Sequence, residues 1–236
     1  MKLKKYRHEL KYYINYLDYE VLRRKLEVLL HRDPFTGDRD DYHIRSLYFE
    51  DIQNTALFEK QSGILERKKY RIRIYNLSKD LIKLEKKSRS GQFVRKDSAI
   101  LSYDQYQSII AGDFSFLSND QNQLFNEFYF DLLSSNYRPK VIVDYVREPF
   151  VFNINNVRIT FDKLLRTALN STDLFSHDLV MVDVLEEPKL IMEVKYDHFL
   201  PDFIKNIIQI DSSQRYAISK YVISRKYTKS NSWEDN

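Results

Sequence analysis

Along most of this chain, apolar and polar positions alternate every second residue, interrupted by stretches with a helical period. Alternation marks strands, because successive strand side chains point to opposite faces. It predicts about eight of them: Tyr6–Ile14, His43–Phe49, Lys69–Tyr75, Leu81–Lys87, Val141–Arg147, Val157–Asp162, Leu179–Leu185 and Leu190–Tyr196. A period near 3.6 predicts helices between them. Asp18 is placed to cap Tyr19–Leu30, where Val21, Leu22, Leu26, Leu29 and Leu30 share a face. Ser102 opens Tyr103–Ala111, and Asn119 or Asp120 opens a helix to about Ser134 with Phe125, Phe128 and Leu132 as core. Two more are expected near Asp202–Ile210 and Ser213–Ser224. A majority of strands with helices between groups of them predicts an α+β protein on an antiparallel sheet or barrel. No Pro/Gly/Ser linker or repeat breaks the pattern, so residues 1–225 read as one domain and 226–236 as a polar tail.

The polar positions on these strands are charged to an unusual degree. Arg71 and Arg73 share one face while Ile72 and Ile74 share the other. Lys83, Glu85 and Lys87 oppose Leu84; Glu9 and Lys11 share a face; Arg158, Thr160 and Asp162 oppose Val157, Ile159 and Phe161. Glu193 and Lys195 oppose Met192, Val194 and Tyr196, and Arg147 lies on the face of Val143 and Tyr145, opposite Asp144. For any single strand the simplest account is an amphipathic sheet with its charges in water. For the set, the E-x-K spacing recurs in strands far apart in sequence, and the apolar faces need covering by amphipathic helices. Both features are met by a closed barrel with charged faces inward and helices packed outside. Such a lumen would crowd cations, since two like charges about 4 Å apart repel by roughly 4 kcal/mol at an effective dielectric near 20. An elongated polyanion is the ligand such a lining fits, with arginine giving bidentate contacts to phosphate. The minority carboxylates suggest a divalent cation, Mg²⁺ or Mn²⁺, bridging protein and phosphate.

Composition removes competing chemistries. The chain has no cysteine, which excludes disulfides, zinc-thiolate sites and a cysteine nucleophile. With only four glycines among 236 residues there is no GxGxxG and no GxxxxGK[ST], so phosphate must be held by side chains. There is also no GxSxG elbow or HExxH pair, and the five histidines show no metal-ligand spacing. No apolar run approaches the roughly 18–20 residues of a membrane helix, and the basic N-terminus lacks a signal-peptide core. A soluble, cytoplasmic protein is expected. The net charge of +4 carries no basic tail or nucleic-acid reader motif, so nucleic acid is not an expected partner.

The ordered set Tyr6-Arg7-His8-Glu9-Leu10-Lys11-Tyr12, Ile44-Arg45-Ser46-Leu47-Tyr48-Phe49, Tyr70 to Tyr75, Leu84-Glu85-Lys86-Lys87, Val157 to Asp162, Leu190 to Tyr196 and Ser219-Lys220-Tyr221 resembles the VTC domain. That is the polyphosphate polymerase branch of the triphosphate tunnel metalloenzymes, the CYTH group, and the resemblance spans about residues 6 to 224. It implies an antiparallel eight-stranded β-barrel, a tunnel lined by basic residues and holding a divalent metal. It implies transfer of the γ-phosphate of ATP to a growing polyphosphate chain. By motif, Lys11, Arg71, Arg73, Lys87, Arg147, Arg158, Lys195 and Lys220 would bind nucleotide phosphates and chain, with Arg95 or Lys96 adding a contact. Arg71, Arg73, Lys87, Arg158 and Glu193 are the implied catalytic set. Glu193 would be the main ligand of Mn²⁺ or Mg²⁺, supported by Glu9, Glu85 and Asp162. Catalysis would consist of positioning and charge stabilisation. Alternatives on the same fold are a triphosphatase or nucleotide cyclase, and a non-catalytic polyphosphate-binding module. Two departures qualify the resemblance. Tunnel hydrolases typically begin E-x-E-x-K, and here Arg7 holds the first position. The eukaryotic polymerase also works with membrane helices and a phosphate-sensing domain, so channel coupling and phosphate sensing are not expected of this chain.

Overall fold

The computed structural model describes residues 8–91, 93–118, 120–169, 171–186, 188–209 and 216–230. Arg7, and with it the first position of the E-x-E-x-K comparison, lies outside them. In chain order the strands are β1 (His8–Asn15), β2 (His31–Arg32), β3 (Tyr42–Glu50), β4 (Arg67–Tyr75), β5 (Ile82–Ser90), β6 (Phe93–Leu101), β7 (Arg138–Phe152), β8 (Val157–Ala168), β9 (Met181–Asp183) and β10 (Lys189–Tyr196). The helices are α1 (Tyr16–Leu29), α2 (Thr55–Gln61), α3 (Tyr103–Ala111), α4 (Gln123–Ser134), α5 (Asp202–Ile208) and α6 (Lys220–Ser230). The protein is α+β with antiparallel strand pairing, as the alternation predicts.

The chain divides into two compact units: Met1–His43, Tyr145–Leu165 and Leu185–Ser219 form the first, and Ile44–Asp144, Arg166–Val184 and Lys220–Asn236 the second. In the first, strands are ordered β1-β10-β8-β7, with β2 pairing to β7. Their apolar faces are closed by Tyr19, Leu22 and Leu26 of α1 and Ile204 and Ile208 of α5, packed against Ile159, Phe161, Met192 and Val194. Helix α1 starts three residues earlier than the sequence predicts. Asn15 is the cap, its side chain accepting from the Asp18 backbone N–H, so the acidic residue lies inside the first turn and faces the helix dipole. Val21 and Leu29, grouped with the apolar face by sequence, are half exposed, and Tyr19 takes part in the core instead.

In the second unit the order is β7-β3-β4-β5-β6, with β9 pairing to the end of β8. Phe128 of α4 is fully buried edge-on to Phe49 at 5.1 Å and beside Tyr70 at 4.9 Å. Truncating such a ring to alanine typically costs about 3–5 kcal/mol. Ser102 caps helix α3, as its sequence predicts, and Gln105 completes a full capping box with it. Asn122 caps α4, its side chain accepting from the Leu124 backbone N–H, in place of Asp120; Asn119, the other expected cap, lies outside the described residues. Helix α6 runs from Lys220 through Ser230, beyond its predicted end near Ser224, and its predicted start at Ser213 lies outside the described residues. Strand β6 and helix α2 have no counterpart in the sequence reading.

Candidate functional site

In the first unit, one face of the sheet gathers charges in complementary register. Glu9 lies opposite Lys195 and Lys11 opposite Glu193 across β1–β10, and Lys195 lies opposite Arg158 across β10–β8. The Lys11 ammonium is 2.7 Å from Glu9 and 4.0 Å from Glu193, and Lys195 is 2.8 Å from Glu193. Arg147 grips Asp162 bidentately at 2.7 and 2.9 Å and reaches Glu193 at 3.5 Å. Arg158 pairs with Asp33 at 2.8 Å and donates to the Tyr42 hydroxyl at 3.0 Å. Burial would push Glu193 up, but Lys195, Lys11 and Arg147 outweigh it and hold its carboxyl well below the usual range. Burial likewise works against Lys11, yet Glu193 and Glu9 raise it above its ordinary value. Lys195 is pulled down to about 8, first by lost hydration and then by Arg147, against the attraction of Glu193. The carboxylates nearly balance the cations on this face. Two donors on it remain buried and unpartnered, Arg158 Nε and Thr160 Oγ1. Such groups normally find an acceptor, and a phosphate oxygen is one.

The second unit has a different balance. On β4, Arg67, Lys69, Arg71 and Arg73 project to one face while Tyr70, Ile72 and Ile74 are fully buried on the other. Across the ladders, Lys69 lies opposite Lys87, and Lys87 opposite Lys96, so three lysines form one row over three strands. Arg71 lies opposite Glu85 and Tyr48, and Arg73 opposite Lys83 and Ser46. Glu85 is the carboxylate at the centre of this face. Arg71 contacts it at 2.6–2.7 Å and Lys96 at 2.5 Å. Burial opposes its charge, but Arg71, Arg73 and Lys96 hold its pKa well below the usual carboxylate range. Lys96 is lowered by burial and by the two arginines. Arg71 also donates to the Tyr48 hydroxyl at 2.7 Å, and Arg73 to the Ser46 hydroxyl at 3.0 Å.

The structure therefore brings Lys11, Arg147, Arg158, Glu193 and Lys195 together with Glu9 and Asp162 in one unit. It groups Arg71, Arg73, Glu85, Lys87 and Lys96 in the other. Arg95 is set apart: it pairs with Ser88, turns to the opposite face of β6 and binds Asp97 at 2.8 Å. Lys220 opens α6, next to Tyr221, whose ring lies 5.0 Å from Tyr48 and whose hydroxyl donates to Glu50. Asp144 holds Arg45 and Arg166, each at 2.8 Å, on the face of β7 opposite Arg147. The sequence reading passed over Ser46 and Tyr48, although their alternation in β3 would have put them with the arginines. Asp33 and Tyr42 have no sequence signal; tertiary structure alone brings them to Arg158. A cavity of about 580 Å³ in the second unit, bordered by Tyr103, Tyr106 and Phe175, contains none of these residues.

Among the described residues, no three acidic or histidine side chains gather to hold a metal unaided. Asp162 gives both oxygens to Arg147, and Glu85 is enclosed by cations. Glu9 and Glu193 are closer to a ligand pair, both reached by the Lys11 ammonium, at 2.7 and 4.0 Å. Hard divalent cations commonly take one or two protein carboxylates and complete their shell with substrate phosphates and water. That pair fits a metal arriving with its phosphates.

The VTC domain family model matches residues 6–229, and the chain belongs to that family. No curated protein sequence matches it. Among solved structures, a candidate adenylyl cyclase from Hippeastrum, described with a dominant triphosphatase activity, shares the fold at a TM-score of 0.55 and 13% identity, over 93% of this chain and 95% of that one. A protein from Pyrococcus horikoshii aligns at 0.49 and 12% identity over 94% and 99% of the two chains. A candidate adenylate cyclase from Vibrio parahaemolyticus aligns at 0.49 and 12% over 94% and 98%. No helix among the described residues is long and apolar enough to cross a membrane.

Proposed function

We propose that this protein is a metal-dependent polyphosphate polymerase that transfers the γ-phosphoryl group of ATP to the end of a polyphosphate chain. The observation that carries the reading is the row Lys69, Lys87 and Lys96, with Arg71 and Arg73 beside it and Glu85 the carboxylate at their centre. Like charges directly opposite on a sheet are destabilising by themselves and favour a bound polyanion. In the reaction, a terminal phosphate oxygen of the chain attacks the γ-phosphorus. The bond to the β–γ bridging oxygen breaks, and ADP leaves with the negative charge. Arg71 and Arg73 hold and orient phosphate oxygens through fixed guanidiniums, Arg71 being braced by Glu85 and Tyr48. In the first unit, Arg158 and Thr160 carry unpartnered donors that suit phosphate oxygens, and Lys11 and Lys195 add positive charge beside them. Glu9 and Glu193 of the first unit would hold Mn²⁺ or Mg²⁺, whose charge would offset that of bound phosphate.

The Hippeastrum likeness favours a second reading, a triphosphatase on the same fold. One assay separates them. Pure protein is incubated with ATP and Mn²⁺, and the products are run on a gel that resolves polyphosphate length. Polymer with matching ADP supports the polymerase; free phosphate without polymer supports the triphosphatase. Cyclic AMP with pyrophosphate would indicate a cyclase, and binding without turnover a silent polyphosphate module.

A further inference from the structure

The cationic face of β4 and β5 continues past its lysine row. Two positions beyond Lys69 and Lys87, Arg67 lies directly across from Arg89, and β6 presents Val94 next to Arg89. Both arginines are half-buried. Arg89 donates from Nε to the Gly91 carbonyl at 2.8 Å, and Arg67 donates to the Ile64 carbonyl. Among the described residues neither has a carboxylate at ion-pair distance. A guanidinium carries five donors, so most of those on this pair meet no acceptor among the described residues. Burial and the facing Arg89 both pull Arg67 below its ordinary pKa, as expected of a cation held beside another cation.

Arg73 and Arg67 stand at the two ends of this face, six positions apart on β4, which is roughly 20 Å at about 3.3 Å per residue. A triphosphate held at Arg71 and Arg73 leaves the Arg67 end of that row empty. A long polyphosphate carries charge on every unit and covers the row. Phe93, the exposed ring nearest in β6, sits opposite Ser90 and turns to the other face, away from Arg67 and Arg89.

We propose that Arg67 and Arg89 form a distal subsite for polyphosphate, binding units beyond those held by Arg71 and Arg73 and making the face selective for chains longer than triphosphate. The inference rests on the reading of that face as a polyphosphate site. The full chain and its Arg67→Gln/Arg89→Gln variant are titrated with tripolyphosphate, with long-chain polyphosphate and with a thymine-rich single-stranded oligonucleotide, at several salt concentrations. The variant is expected to bind the long chain about tenfold more weakly. Its triphosphate affinity should stay within about twofold, and its salt slope for the long chain should fall by about one per arginine removed. Equal loss of both ligands, an unchanged long-chain affinity, or wild-type affinity for the oligonucleotide equal to that for polyphosphate overturns the subsite. Wild-type protein that binds neither phosphate ligand overturns the polyphosphate reading itself, and the subsite with it. If the double variant melts early, Arg67→Gln alone is tested against the same ligands, with about half the effect expected and no effect counting against the subsite.

Discussion

Lys69 and Lys87 face each other directly across the β4–β5 ladder, and Lys96 takes up the same row on β6. A ligand that neutralises this row binds only the folded chain, so it must raise stability. Triphosphate at about 100 times its Kd should add roughly 2.7 kcal/mol. For a chain of this length that corresponds to a melting shift of roughly 5–11 °C. Lys87→Gln is expected to remove about half of the shift at the same ligand concentration, as a tenfold weaker Kd would. A shift in wild type that sodium chloride reproduces at equal ionic strength would reduce the row to ordinary surface charge.

Tyr48 offers a spectroscopic handle on the same face. Burial disfavours its phenolate, but Arg71, Lys69 and Arg73 favour it more, and the group is brought down to about 7. A folded value below the ordinary one means the phenolate stabilises the fold fully above pH about 10, and that contribution is lost as pH falls through about 7. The stability difference between wild type and Tyr48→Phe should therefore widen from pH 6 upward. Tyrosinate absorption should appear near neutrality in wild type only. Bound polyphosphate competes for Arg71 and Lys69, so saturating ligand should move that absorption to higher pH. A wild-type titration curve with no component near neutrality would contradict this placement of charge.

The strands that carry the arginines were legible because a period of two is a strong signal when Ile72, Ile74 and Leu84 alternate with charge. Strand β6 was not, because Phe93-Val94-Arg95-Lys96-Asp97 puts apolar and charged residues on both faces, and only Ala99 and Leu101 are buried. It ends the run of paired strands in its unit, where charge is tolerated on either side. That is also why sequence left Arg95 and Lys96 as equals. Neighbours on a strand must face opposite ways, and the register chooses Lys96. The cap of α1 misled for a local reason: Asp18 has the right chemistry, but Asn15 reaches its backbone first. The bidentate grip of Arg147 on Asp162 joins β7 to β8, and no spacing rule announces it.

Glu193 and Arg158 should separate chemistry from binding. Glu193 stands among Lys11, Lys195 and Arg147, so replacing it with glutamine leaves those cations for the phosphates. Glu193→Gln is expected to retain triphosphate affinity within a few-fold while turnover falls roughly 10²–10³-fold and loses its metal dependence. Arg158→Ala and Arg71→Ala remove direct donors, and both should weaken triphosphate binding by about tenfold or more. Full turnover in Glu193→Gln would remove the metal role assigned to it.

Glu148 provides the contrasting case, a charge cluster that serves the fold. It is nearly inaccessible, and it accepts from Tyr19 at 2.5 Å, Arg23 at 2.9 Å and Arg32 at 2.6 Å, with Lys163 at 3.3 Å. Burial opposes its charge, but those hydrogen bonds and Lys163 hold its pKa below the ordinary 4.5. A lowered folded value means the stabilisation is complete above about pH 4.5 and disappears as pH falls through the folded value. Removing one partner of a buried ion pair costs about 3–5 kcal/mol. Glutamine still accepts hydrogen bonds and the cations are partly solvated, so Glu148→Gln should cost about 2–3 kcal/mol at pH 7, a melting shift of roughly 4–12 °C. In acid the gap between variant and wild type should close. Because neighbouring Arg147 turns to the other face of β7, triphosphate affinity of the folded variant should be unchanged. A Glu148→Gln protein that melts normally but binds triphosphate poorly would move this cluster from the scaffold into the site.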